Sequence, residues 1–182
     1  MPEILTDNER LTEVYKLRTI AWADLPSPTP INTETFPDGF KDPLDEKGVH
    51  WVANDADGDM IAAARVAVLN SLEELPYWKI FERFELPAAR PFLLYSHRCT
   101  MPEYRDVARL RFAFDTVRMQ YQRDHNISFA IATAYSHRHL PLPLFGWKKL
   151  GDIEPGSDEN YFFGHDRAMI LKLEDMHLPE EP

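Results

Sequence analysis

The chain has 182 residues, with 44% apolar and 27% charged side chains, which fits one soluble domain built on a single large core. No run approaches the roughly 20 apolar residues of a membrane helix, and the opening MPEILTDNER lacks a signal peptide's basic and apolar regions; a cytoplasmic protein with no membrane partner is expected. The net charge of −10 argues against nonspecific nucleic-acid binding, and the lone Cys99 rules out an intramolecular disulfide and disfavours a zinc site.

Leu11, Val14, Tyr15, Leu17 and Ile20 have helical spacing over Glu9–Trp22, with Thr6, Asp7 or Asn8 as caps. A long proline-rich loop, 26–48, carries five prolines between Pro26 and Pro43 and is expected either to pack over a site or to be disordered. HWVAND and MIAAARVAVL read as a β-hairpin turning at Gly58. Pro76 splits the next apolar stretch, through Trp78, Phe81 and Phe84, into two short helices. With Phe92 these rings form either core or an acyl pocket.

PFLLYSHRCTM is a strand whose period of two sets Leu93, Tyr95, His97 and Cys99 on one face. Val107, Leu110, Phe114, Val117 and Tyr121 then mark a helix with Asp106 as its N-cap. ISFAIATAY is a buried strand, and the strand–helix–strand order requires a parallel pair. LFGWKKLGD reads as a short helix closed by Gly151, YFFG and AMILKL as a last hairpin, and 174–182 as an acidic tail. The whole is an α+β domain, 1–182, with a mixed, mainly antiparallel sheet and helices on both faces.

Several groups in this order carry chemistry. The junction PEYRDVARLRF places helix N-terminal amides beside Arg105, Arg109 and Arg111, an arrangement that holds phosphates; the alternative is a basic surface turn paired with Glu103, Asp106 or Asp115. Tyr95 and His97 suit proton transfer, or else pack in the core. Cys99 reads as an inert buried thiol rather than a nucleophile. Asp42 and Asp45 form either an acceptor site or a solvated turn, and Arg18 and Arg65 either grip an acceptor carboxylate or pair with those aspartates. The SHRH run, Ser136–His139, lacks partners for a metal, and none is expected.

Pro102-Glu103-Tyr104-Arg105 followed by a helix, WKKLG, and the hairpin DGDMIAAARV resemble acyl-CoA-dependent N-acyltransferases of the GNAT superfamily over roughly Glu9–Leu173. YKLRTIAW, DPLD, the hairpin and YSHR follow the motif order of the autoinducer synthases and N-acyl amino acid synthases, with Arg18, Asp42, Asp45, Arg65 and Arg98 at matching positions. The chain departs from those patterns at Ala108 and Leu110 (usually Gly), at Trp147 (usually Tyr), at Asp152 (usually Phe), and at Tyr95 and His97 (usually Glu and Ser).

The resemblance implies a GNAT-like fold and acyl transfer from acetyl-CoA or a longer acyl-CoA to a small amine. Cys99, Thr100, Met101, Arg105, Asp106, Val107, Ala108, Arg109, Leu110 and Arg111 would hold the donor. Tyr95, His97 and Glu103 would move protons, and Arg18, Asp42, Asp45 and Arg65 would meet the acceptor. Two rivals accompany this reading: an enzyme that takes its acyl group from acyl carrier protein docked on Arg109, Arg118 and Arg123, and a silent acyl-CoA-binding module.

Overall fold

The computed structural model describes residues 1–23, 34–105, 107–135, 142–155 and 166–178. Asp106, the Ser136–His139 run, the YFFG segment and the prolines at 26, 28 and 30 lie outside them.

Asp7 accepts a hydrogen bond from the Glu9 amide and starts a 3-10 turn over Asn8–Arg10, which leads into α1, Leu11–Ala23. The buried side of α1 carries Leu11, Val14, Tyr15, Leu17 and Ala21, the helical period seen in the sequence, with Arg18 buried among them. β2 (Val49–Asn54) and β3 (Met60–Leu69) form the expected antiparallel hairpin, and Gly58 takes the turn's positive φ of 92°. A two-residue strand, β1 (Glu3–Ile4), pairs with β2; it is too short to leave a pattern in the sequence.

A 3-10 turn at Leu72–Glu74 and α2, Trp78–Glu82, sit on either side of Pro76, as expected. β4 (Phe92–Thr100), α3 (Ala108–Asp124) and β5 (Phe129–Tyr135) complete the strand–helix–strand unit, and β4 pairs with β5 in parallel. β6 (Lys148–Ile153) and β7 (Asp166–Lys172) are antiparallel, and β7 also pairs antiparallel with β5. The strand order is β1-β2-β3-β4-β5-β7-β6 in one seven-stranded, mostly antiparallel sheet.

One local expectation is corrected. WKKLGD is not the end of a helix: a 3-10 turn at Leu142–Phe145 ends at Gly146, with φ 94°, and the chain then runs extended as β6. A Cβ on Gly146 would lie 1.9 Å from the Asp175 carbonyl oxygen, so glycine is required there by contact as well as by conformation.

The chain divides into two compact units, one of Met1–Ala67 with Ser96–Val117 and one of Val68–Tyr95 with Arg118–Pro182. In the first, Val14, Leu17, Ala21, Val52, Ala63 and Cys99 make an apolar cluster. Each larger side chain buried this fully contributes about 1.5–3 kcal/mol. In the second, Phe92 stacks on Phe129 at 5.1 Å, Phe81 meets Phe84 at 6.2 Å, and Phe81, Phe92 and Phe129 are fully buried. These rings are core.

Candidate active site

The loop ahead of β2 is tied to α1 by its backbone. Gly39 has a φ of 99°, and a Cβ there would stand 2.3 Å from the Tyr15 carbonyl carbon, so only glycine lets the loop lie against the helix. The next amide, Phe40, donates to both the Tyr15 carbonyl and Thr19 Oγ1 at 3.1 Å. Downstream, the DPLD turn folds its carboxylates inward. Leu44 N–H donates to Asp42 Oδ1 at 2.9 Å, and Asp42 N–H to Asp45 Oδ2 at 2.7 Å.

Two arginines meet those carboxylates. Arg18 grips Asp45 bidentately at 2.7 and 2.8 Å, and Arg65 Nη1 reaches Asp42 at 2.6 Å and Asp45 at 2.7 Å. Arg65 Nε also donates to Ser96 Oγ at 3.1 Å. All four charged side chains are buried, and His50 Nε2 closes on the Asp45 carbonyl at 3.0 Å. Two guanidiniums therefore balance two carboxylates. Burial pushes both acids up, but the donors outweigh it: His97, Arg65 and the Leu44 amide hold Asp42 well below the carboxylate range, and Arg18, with Arg65, holds Asp45 at about 2. Arg18 and Arg65 are thus engaged with the two aspartates, the pairing left open above.

His97 sits at the edge of this network. Its φ is 51°, a left-handed residue inside β4 that breaks the strand's alternation, so the shared face expected for Tyr95, His97 and Cys99 does not continue through it. Nε2 is buried 3.1 Å from Asp42 Oδ2, out of line for a well-formed hydrogen bond, and the side chain keeps 12% of its surface exposed. Burial, and then the fields of Arg65 and Arg18, push the imidazole down to about 4 against the pull of Asp42, so it is neutral at pH 7. Trp22 and Phe40 flank the ring with centroids at 5.5 and 5.7 Å.

The other expected residues have different neighbours. The Tyr95 hydroxyl donates to the Arg118 carbonyl at 2.7 Å and lies 3.0 Å from Gln122 Oε1, the Arg118 guanidinium lies over its ring at 5.0 Å, and Trp147 meets it edge-on at 5.3 Å. These are the contacts of a core tyrosine, the alternative left open above. Cys99 is buried against α1 with its thiol pushed up to about 11 by burial, which leaves it protonated and unreactive. Glu103 is exposed in a 3-10 turn at Pro102–Tyr104. Arg98 pairs with Asp115 at 3.0 Å, an anchor between β4 and α3 that the sequence marked only through the YSHR motif.

For a donor, the strand edge and the helix start matter most. Among the described residues the β4–β5 ladder runs only from Leu93↔Ala130 to Tyr95↔Ala132, so β4 beyond Tyr95 has no parallel partner. Met101 N–H donates to the Ile61 carbonyl at 2.9 Å and is already engaged, and strand alternation turns the Thr100 backbone to the other edge. At the junction the amides of Arg105, Val107 and Leu110 bond the carbonyls of Pro102, Tyr104 and Val107 at 3.3, 3.2 and 3.0 Å. Those three amides are thereby engaged within the junction. A helix that starts at Ala108 leaves the amides of its first turn to partners outside the helix. The Arg105 side chain bonds the Ala21 carbonyl, and Arg109 is exposed. Arg111 is half-buried, and Arg118 is buried, which takes the middle out of the basic helix face.

By sequence, no family profile and no curated protein matches the chain. Solved structures do match. FeeM, an N-acyl amino acid synthase from uncultured soil microbes, superposes with a TM-score of 0.68 at 11% identity, covering 96% of this chain and 91% of that one. The acyl-homoserine lactone synthase LasI gives 0.67 at 12% identity over 95% and 89%. BjaI, a CoA-dependent acyl-homoserine lactone synthase solved with SAM and isopentyl-CoA, gives 0.65 at 16% over 95% and 83%. The fold is the GNAT fold that the motif order implied.

Proposed function

We propose that this chain, folded as the GNAT acyltransferases are, moves an acyl group from acetyl-CoA or a longer acyl-CoA to the amine of a small acceptor, by direct attack in a ternary complex. The observation that carries the reading is His97: a neutral imidazole, backed by a carboxylate, at a break in β4 just past the point where its parallel ladder ends. The structural neighbours include a CoA-dependent acyl-homoserine lactone synthase, which supports CoA as the carrier of the acyl group.

The pantetheine arm lies along the unpaired edge of β4, with Thr100 supplying backbone bonds beside Cys99 and Met101. The diphosphate meets the Ala108 and Arg109 amides and the Arg109 side chain. In the reaction the amine nitrogen attacks the thioester carbon, the C–N bond forms and the C–S bond breaks. His97 takes the proton that the attacking nitrogen sheds as it becomes cationic. The imidazolium so formed returns that proton to the departing CoA thiolate. The position at which a tyrosine commonly serves as that acid is Trp147, whose indole is not an acid, so one histidine covers both transfers.

The carrier-protein rival loses support from the burial of Arg118, because Arg109 and Arg123 alone make a poor docking face for an acidic partner. Mixing the protein with acetyl-CoA and long-chain acyl-CoA, with and without an amine panel, tests the proposal. Free thiol appearing only when donor and amine are both present supports it. Binding of the donor without thiol release from any amine would favour the silent module.

A further inference from the structure

We infer that the acceptor is a monoamine with an aromatic or apolar body, carrying neither a carboxylate nor a second cationic group; this rests on the acyl-transfer reading above. The surroundings of His97 supply the argument. Trp22, Phe36, Phe40 and the imidazole form a chain of tilted and edge-on rings, with centroids 5.5 Å apart for Trp22–Phe40 and 5.1 Å for Phe36–Phe40. All three aromatic side chains are only half-buried and keep surface for a ligand, and His97 keeps its own exposed edge. Phe40 is not a loosely held ring. Its N–H is shared by the Tyr15 carbonyl and Thr19 Oγ1, and its carbonyl accepts from Arg18 at 3.3 Å.

Among the described residues, four arginines near His97 and the end of α1 are already matched. Arg18 holds Asp45, Arg65 holds Asp42 and Asp45, Arg98 holds Asp115, and Arg105 is bonded to the Ala21 carbonyl at the end of α1. An acceptor carboxylate would have to break a buried pair or give up its solvation with nothing in exchange. A second ammonium group meets the same obstacle at Asp42 and Asp45. What the cluster offers freely is aromatic area beside a neutral base, which suits a flat or apolar body bearing one amine.

Thiol release from acetyl-CoA by the full chain, with phenethylamine, phenylalanine and spermidine compared at equal concentration, tests this. Phenethylamine should exceed both others in kcat/KM by about tenfold or more. The variant Phe40→Leu, checked for a native melting profile, should lose about tenfold for phenethylamine and much less for butylamine, with KM for acetyl-CoA unchanged. Equal or better turnover of phenylalanine or spermidine overturns this inference and leaves acyl transfer standing. Thiol release from none of the amines, with acetyl-CoA or with a long-chain acyl-CoA, overturns both.

Discussion

His97 Nε2 lies 3.1 Å from Asp42 Oδ2, and the residue that carries it bends β4 with a φ of 51°. The carboxylate belongs to the DPLD turn and the imidazole to a strand, so the pair also joins the loop to the sheet. Because asparagine tolerates the left-handed region, His97→Asn keeps the backbone while removing the base. It should lower kcat by about 10²–10⁴ and leave KM for acyl-CoA unchanged, read by steady-state thiol release. In the wild type kcat/KM should rise with pH as the acceptor amine deprotonates. No inflection should appear near 6.5, where an unperturbed histidine titrates, because His97 is held near 4.

The same network makes the protein acid-sensitive. His97 stays neutral in the fold until about pH 4, whereas in the unfolded chain it binds a proton at about 6.5. Asp42 and Asp45 are also held below their unfolded values of about 3.9. In each case the unfolded chain binds more protons, so stability is fully present at neutral pH and falls as pH drops. The first loss runs between about 6.5 and 4 through His97, and the next below about 4 through the carboxylates. Denaturant midpoints measured from pH 8 to pH 3 should trace these two steps, and His97→Asn should shrink the first, leaving the part due to His50, whose imidazole burial also pushes down.

Asp45 faces both guanidiniums at 2.7–2.8 Å in a fully buried setting. Asp45→Asn leaves Arg18 without its carboxylate partner and Arg65 with Asp42 alone. The substitution should cost about 3–5 kcal/mol, the usual effect of stripping one member from a buried pair. Chemical denaturation checks it, and a cost under 1 kcal/mol would mean that water enters the network.

Gly39→Ala should destabilise by more than the roughly 1 kcal/mol of an ordinary glycine substitution, since a Cβ there meets the α1 backbone at 2.3 Å in addition to a φ of 99°. Because Phe40 is the next residue, the variant should also raise KM for the acceptor while KM for acyl-CoA holds.

Much of this architecture was legible in the sequence, and the exceptions have physical causes. The Gly58 hairpin, α1, the β5 run and the parallel pairing around α3 carry periodicities that tertiary contacts did not override. The phase of α3 was less legible. Its apolar residues suggested a stripe through Val107, Leu110 and Val117, yet Val107 is 44% exposed, and the buried side includes Asp115, Arg118 and Gln122. Asp115 is inside because it pairs with Arg98, Gln122 because it meets the Tyr95 hydroxyl, and the Arg118 guanidinium lies over the Tyr95 ring, partners supplied by another element and invisible to a pattern search.

KKLG matches a helix stop, yet the chain there is β6. Gly151 is there instead because Phe84 packs on it, with ring carbon Cε1 only 2.5 Å from where a Cβ would be. At the site, the Asp-x-x-Asp spacing and both arginines could be named from sequence. Their closure upon one another could not, nor could the positive φ that sets His97 beside them.

The most direct test of the central claim is mass-spectrometric detection of an N-acyl product after incubating the wild type and His97→Asn with acetyl-CoA and phenethylamine. The account predicts N-acetylphenethylamine with an equal amount of free CoA from the wild type, and at least about a hundredfold less from the variant at the same acetyl-CoA occupancy. Equal product from both proteins would remove His97 from the chemistry. A folded wild type that binds acetyl-CoA yet acylates no amine would contradict the acyltransferase reading itself.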